Sequence, residues 1–228
     1  MLYAISDIHG QYNAFVSLLR KIKFKDTDDL YVLGDAIDRG PMPIECLQYI
    51  MEHDNIHMLL GNHELMMCES ISANNRETEK IWHRNGGGVT AKEYLALSKS
   101  DKQQIISYIK SLPLNFEVIA NGINYILCHA APLCKYYNTT FAQTSLLYSF
   151  YNEKDYAVWS RKKPKPIENK TIIIGHTPTI AFQKTKKGEI AVFDGVIDID
   201  CGAAYPERGG RLCCFCLDTQ EVFYQNIE

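Results

Sequence analysis

The chain has 228 residues, 46% of them hydrophobic and 22% charged, with a formal net charge of -3. This suits a globular chain that can bury a real core, most simply as one domain over 1–228, and it gives no reason to expect a stable nucleic-acid or membrane partner. No apolar run approaches the roughly 18–20 residues of a membrane helix, and MLYAISDIHG lacks the basic start and unbroken apolar stretch of a secretion signal.

Leu2 to Ser6 reads as a buried strand and Tyr12 to Ile22 as a helix, from its apolar spacing. Leu30 to Leu33 is a second strand, Ile44 to Met51 a helix with Pro41 and Pro43 near its start, Ile56 to Leu60 a third strand and Glu64 to Ile71 a third helix. This alternation predicts an α/β fold with parallel strands at its centre. Arg76 to Ser111 reads as a mainly helical insert, about 76–112, broken at Asn85-Gly86-Gly87-Gly88. Phe116 to Ala120 and Ile123 to His129 flank Asn121-Gly122, a hairpin signal. A helix over 144–159, a loop over Lys162 to Pro166, and strands at Thr171 to Ile174, Ile190 to Phe193, Val196 to Asp200, Leu212 to Leu217 and Val222 to Gln225 complete the chain. The second half therefore reads as rich in antiparallel strands, giving two packed sheets with helices outside.

The eight cysteines match no paired CxxC zinc spacing, so reduced thiols in a cytoplasmic chain are expected. Cys213, Cys214 and Cys216 read as ordinary strand residues.

Polar residues and glycine gather where strands end. The first three strands run into Ser6-Asp7-Ile8-His9-Gly10, Gly34-Asp35-Ala36-Ile37-Asp38-Arg39-Gly40 and Gly61-Asn62-His63-Glu64, and later strands lead to His129 and to Gly175-His176. Ligands of open α/β sheets bind beyond the carboxyl ends of strands, so these loops should converge. Singly, each residue is unremarkable: an Asp after a strand is usually a turn residue, a lone His a satisfied polar group, and Arg161 beside Lys162 and Lys163 a solvated charge run. It is the joint placement, with four of seven histidines in these clusters, that points to chemistry.

Asp, His and Asn are ligands for divalent first-row metals, and two such ions can clamp a displacement at phosphorus. Asp7, His9 and Asp35 could hold one ion; Asp35, Asn62, His129 and His176 could hold the other, with Asp35 bridging and a hydroxide shared by the ions attacking phosphorus. Two Mn²⁺ are the first expectation, with Fe or Zn as alternatives. His63, beside a ligand but free, could serve as general acid, with Asp38 accepting its hydrogen bond. Arg39 and Arg161 could grip phosphate oxygens.

At these residues the sequence resembles the phosphoprotein phosphatase branch of the calcineurin-like metallophosphoesterases. The motifs are Asp7-x-His9-Gly10, Gly34-Asp35-x-x-Asp38-Arg39-Gly40, Gly61-Asn62-His63-Glu64, His129-Ala130 and Gly175-His176-Thr177. Compact length, Trp82-x-x-Asn85-Gly86-Gly87 and Trp159-x-Arg161 make it most similar to the short bacterial and phage lambda-type serine/threonine phosphatases. Asp200-Cys201-Gly202 resembles their Asp-Thr-Gly stretch, with cysteine in place of threonine. The resemblance implies two central mixed sheets flanked by helices and the ligand scheme above. It implies His63 and Asp38 as an acid pair, Arg39 and Arg161 on phosphate, and Asn85 near the substrate.

The expected substrate is a phosphorylated protein at serine or threonine, or a small phosphoester, with phosphotyrosine also in range. The alternative is a hydrolase of dinucleoside polyphosphates such as diadenosine tetraphosphate, or of nucleotide ends; the sequence shows no obvious basic patch or base-stacking loop in its favour. A binding module that kept the fold without catalysis would have lost a ligand or the acid, and every position is intact.

Overall fold

In a computed structural model the described residues are 1–73, 76–145, 150–183 and 187–228. Three βα units come first: β1 (Leu2–Ile5), α1 (Tyr12–Ile22), β2 (Asp29–Val32), α2 (Pro43–Met51), β3 (Ile56–Met58) and α3 (Asn62–Ala73). A helical stretch follows, α4 (Arg76–Trp82), α5 (Gly88–Ala96) and α6 (Lys99–Ser111), and then the hairpin β4 (Asn115–Ala120) and β5 (Ile123–Cys128). The rest contains α7 (Phe141–Ser145), α8 (Glu153–Trp159), β6 (Thr171–Ile174), β7 (Ala191–Phe193), β8 (Val196–Asp198), β9 (Arg211–Cys216) and β10 (Val222–Asn226).

Local chemistry explains these boundaries. In α1 the buried residues Ala14, Phe15, Leu18, Leu19 and Ile22 form one stripe, and Lys23 ends the helix in a left-handed conformation. Ser98 caps α6 and Asn152 caps α8, each accepting a backbone N–H three residues on. Asn121 and Gly122 both have positive φ, as a two-residue hairpin turn requires. The helix expected over 144–159 is instead two, α7 and α8; residues 146–149 lie outside the described residues.

One sheet has the order β10-β9-β1-β2-β3 and the other β4-β5-β6-β8-β7. β1, β2 and β3 are parallel, and β9 joins β1 antiparallel. In the second sheet β5, β6 and β8 are parallel, bounded by antiparallel β4 and β7. The C-terminal half is thus less antiparallel than its short, closely spaced strands suggested. The segments joining β5 to β6 and β6 to β8 are long enough for crossovers, which periodicity alone does not reveal.

The sheets meet through Ala4, Leu33, Leu59, Tyr125, Leu127, Ile173 and Phe215. Phe15, Leu18, Leu47 and Ile105 fill the core between the first sheet and its helices. Alternation along β9 sends Cys213 to the inter-sheet core and Cys214 and Cys216 to the helix side. All eight cysteines are free thiols, and all but Cys68 are buried. Among the described residues no helix is long and apolar enough to cross a membrane.

Candidate active site

The polar residues at the ends of β1, β2, β3, β5 and β6 converge because these strands are parallel within their sheets and their sheets pack face to face. Sharp turns are needed to aim side chains back over the strand ends. Among the described residues eleven non-glycine residues have positive φ, and six of them are Asp7, His9, Asp35, Asp38, Arg39 and His176. A strained residue of this kind costs about 1–3 kcal/mol and persists only where its surroundings over-determine it. Here hydrogen bonds lace the loops together: His9 N–H to Asp35 O at 2.9 Å, Gly10 N–H to Ala36 O at 2.8 Å, and His176 N–H to Asp7 Oδ2 at 2.9 Å.

Asp7, His9, Asp35, Asn62, His129 and His176 are all buried and lie together. Asp35 Oδ2 is 3.9 Å from His9 Nε2 and 3.5 Å from His129 Nε2, and Asp7 Oδ1 is 3.8 Å from His9 Nε2. Ligand atoms of Asp35, His129 and His176 lie within 4.8 Å of one another, as do those of Asp35, His9 and His63. Asp35 belongs to both groups.

These donors suit cations. Asp7 Oδ1 and His176 Nε2 are buried with no hydrogen-bond partner among the described residues. His129 Nδ1–H donates to Leu33 O at 2.7 Å, which leaves a lone pair on Nε2 of the neutral ring, facing Asn62 Oδ1 at 3.0 Å. Buried acceptors turned on one another are costly unless a cation lies among them. Burial pushes the pKa of His9, His129 and His176 down, which keeps the rings neutral as ligands must be. Burial pushes Asp35 up, with the charges of Asp7 and Glu64 adding to it.

His63 Nδ1 meets Asp38 Oδ2 at 2.6 Å, and its Nε2 is 3.9 Å from Asp35 Oδ2. Burial, followed by the Arg39, His129 and Arg161 charges, pushes the His63 pKa down. Two residues of the helical insert hold Asp38: Trp82 Nε1–H donates to Oδ2 at 2.8 Å and Thr90 Oγ–H to Oδ1 at 2.5 Å. Thr90 Oγ also accepts the Asp38 N–H at 3.1 Å. Burial raises Asp38 to about 7 against the pull of the Thr90 and Trp82 hydrogen bonds.

Glu64 has the widest reach. It accepts N–H groups from Asp35 and Ala36 at 2.9 Å each, Gly61 at 3.1 Å and Ile37 at 3.3 Å. The loop after β2 is so close to Gly61 that a Cβ there would collide with Asp35 Oδ1 and the Glu64 carboxylate. Sequence reasoning gave Glu64, Trp82 and Thr90 no role. The signal for Glu64 was its place at the end of the Gly61-Asn62-His63-Glu64 motif, in the first turn of a helix; Thr90 had none.

The two arginines differ. Arg39 is half-buried, donates to His9 Nε2 at 2.8 Å and to Asn85 O at 3.3 Å, and lies over the Tyr205 ring at 5.6 Å. Arg161 is exposed at the rim, and its charge reaches His63, His129 and His176. Asn85 borders the Arg39 side of the site. Its side-chain amide closes onto Ile81 O at 2.8 Å, and its backbone carbonyl is what meets Arg39. Buried Asp200, near Asp7, accepts the Gly202 N–H at 2.9 Å.

A family profile described as "Calcineurin-like phosphoesterase" matches residues 2–198. A protein of Neisseria gonorrhoeae named "Bis(5'-nucleosyl)-tetraphosphatase, symmetrical" is 25% identical over 96% of this chain and 93% of its own length. A solved structure titled as a putative diadenosine tetraphosphatase superposes with a TM-score of 0.67 at 17% identity, covering 99% of this chain and 93% of its own. A protein serine/threonine phosphatase from Saccharomyces cerevisiae superposes with a TM-score of 0.61 at 16% identity, covering 99% and 79% respectively. The two structural likenesses are of fold alone.

Proposed function

The chain belongs to the calcineurin-like phosphoesterases, and we propose that within this family it hydrolyses dinucleoside polyphosphates, cutting diadenosine tetraphosphate into two molecules of ADP. It is a metallophosphoesterase of α/β fold, and its family works with a pair of divalent metal ions. The single observation behind the substrate is a relative named as a symmetrical tetraphosphatase that matches over nearly the whole length of both chains. The protein serine/threonine phosphatase expected from the motifs has weaker support, since the likeness to such an enzyme is one of fold. The lambda-type branch has no separate support.

Asp7, His9 and Asp35 would hold one ion, and Asp35, Asn62, His129 and His176 the other; the partnerless Asp7 Oδ1 and His176 Nε2 support this division. When bound, the ions supply positive charge to the phosphoryl oxygens and a water activated at neutral pH. The bond that breaks joins two phosphates, and the leaving oxygen becomes a terminal oxygen of ADP. The reading of His63 as the acid for that oxygen is supported by its 2.6 Å contact with Asp38; burial disfavours the imidazolium, so the protonated ring would depend on Asp38 being ionised opposite it. Arg39 would leave His9 Nε2 once a cation takes its place and turn its fork to phosphate. Arg161 at the rim would take the distal phosphates.

The test is a pair of kinetic measurements with Mn²⁺ present, on diadenosine tetraphosphate and on a phosphoserine peptide. The expected result is a kcat/KM ratio favouring the dinucleotide by at least about 100-fold, which is about 2.7 kcal/mol of differential transition-state binding, with ADP as sole product. A preference for the peptide overturns the proposal.

A further inference from the structure

Beside the metal-ligand cluster lies a cavity of about 320 Å³. Its position ties it to the reaction: Ala130, Gly175 and Thr177 line it, and they are chain neighbours of His129 and His176. Arg161 lines it as well, and its charge reaches the same histidines. The lining then changes from cationic to aromatic. Lys163 lies over the Phe193 ring at 4.6 Å, and Phe182 and Phe193 are tilted at 39° with centroids 6.1 Å apart. Phe182 is 47% exposed, a large apolar side chain left open to water at the mouth of a site. A carboxylate, Asp198, lines the cavity wall; its Oδ1 accepts the Asp200 N–H at 3.1 Å, and Oδ2 makes no hydrogen bond among the described residues.

We propose that this cavity is the subsite for one nucleoside of the substrate, with the base stacked on Phe182, a ribose hydroxyl donating to Asp198, and the intervening phosphates held by Arg161. The size lies at the low end of small-molecule sites, as a single nucleoside demands. An aromatic face, a cationic edge and one acceptor are the chemistry that base, phosphate and ribose call for. The inference rests on the dinucleoside reading and adds where the nucleoside binds.

The test is calorimetric binding to the Mn²⁺-loaded protein, comparing ADP with methyl diphosphate, which carries the phosphates without the nucleoside. ADP should bind about 5- to 140-fold more tightly, the factor expected of one base stacked on an aromatic ring. Phe182→Ala should lower the ratio by about the stacking factor, leaving only what the ribose contact with Asp198 contributes, and Phe182→Tyr should restore it; the exposure of Phe182 makes both variants foldable. A ratio near one in the native protein, or a ratio unchanged in Phe182→Ala, overturns the subsite. Turnover of diadenosine tetraphosphate is measured separately. If it is absent while the ratio behaves as expected, the dinucleoside reading fails and a nucleotide site remains. If turnover is present and the ratio ignores Phe182, the function stands and the subsite falls.

Discussion

Glu64 accepts the backbone N–H of Asp35 at 2.9 Å, so a carboxylate in the first turn of α3 fixes the loop that carries Asp35. With Ala36, Ile37 and Gly61 it completes a set of four donors around one buried side chain. The loop after β2 owes its shape to residue 64 as much as to its own sequence.

Replacing that acceptor should therefore loosen the metal centre from outside it. Glu64→Gln keeps one acceptor oxygen but turns an amide N–H₂ toward backbone donors. The expected cost is about 2–4 kcal/mol in urea unfolding, from buried N–H groups left without partners. Metal binding by calorimetry should weaken in parallel. Native stability with native metal affinity would show that the loop holds itself.

Burial raises the pKa of Asp38 to about 7, and hydrogen bonds from Thr90 and Trp82 act against it, so Thr90→Val should raise it further. Asp38 would then become ionised only at higher pH. The acid limb of the kcat/KM profile should move up by roughly one unit, the equivalent of one hydrogen bond to a charged group. An unmoved limb together with lowered activity would mean that Thr90 only packs.

Loss of the acid should depend on the leaving group. His63→Asn should keep both metals if the ring acts through Asp38 and not as a ligand, since Nδ1 is engaged by Asp38 while Nε2 lies 3.9 Å from Asp35 Oδ2. On a phosphoserine peptide, a poor leaving group, the rate should fall by roughly 10²–10⁴-fold. On diadenosine tetraphosphate, where a phosphate oxygen leaves, the fall should be smaller. Equal losses on both would count against the acid role.

Asp35 is shared by the two side-chain groups that could hold a metal ion, one with His9 and His63 and the other with His129 and His176. Asp35→Asn should weaken both ions, and the readout is stability: Mn²⁺ at about 100 times its Kd should add about 2.7 kcal/mol to the native chain, and much less to the variant. Equal stabilisation of the two proteins would rule out a bridging Asp35.

The expected ligands were legible because parallel strands deliver their carboxyl-end residues to one side, and Asp7, Asp35, Asn62, His129 and His176 each follow a recognisable apolar run. Thr90 was not legible. It stands 52 residues from Asp38, on a helix whose spacing shows which side is apolar but not which loop it will face. The cavity beside the site was hidden for the same reason. Phe182 lies in no predicted element and Phe193 in a strand, with nothing in the sequence to bring their rings together, and Lys163 looks in sequence like part of a solvated run.

The sequence by itself determined the family, the alternation of strand and helix, and which side chains stand at strand ends, because those follow from local periodicity and from residue chemistry at fixed offsets. Only the tertiary structure decided that Glu64 holds the Asp35 loop, that the helical insert clasps Asp38, that Arg39 rests on His9, and that two distant aromatic rings open beside the metal centre. Those contacts join residues far apart in the chain, and side-chain direction at such range is set by how the two sheets and their crossovers pack.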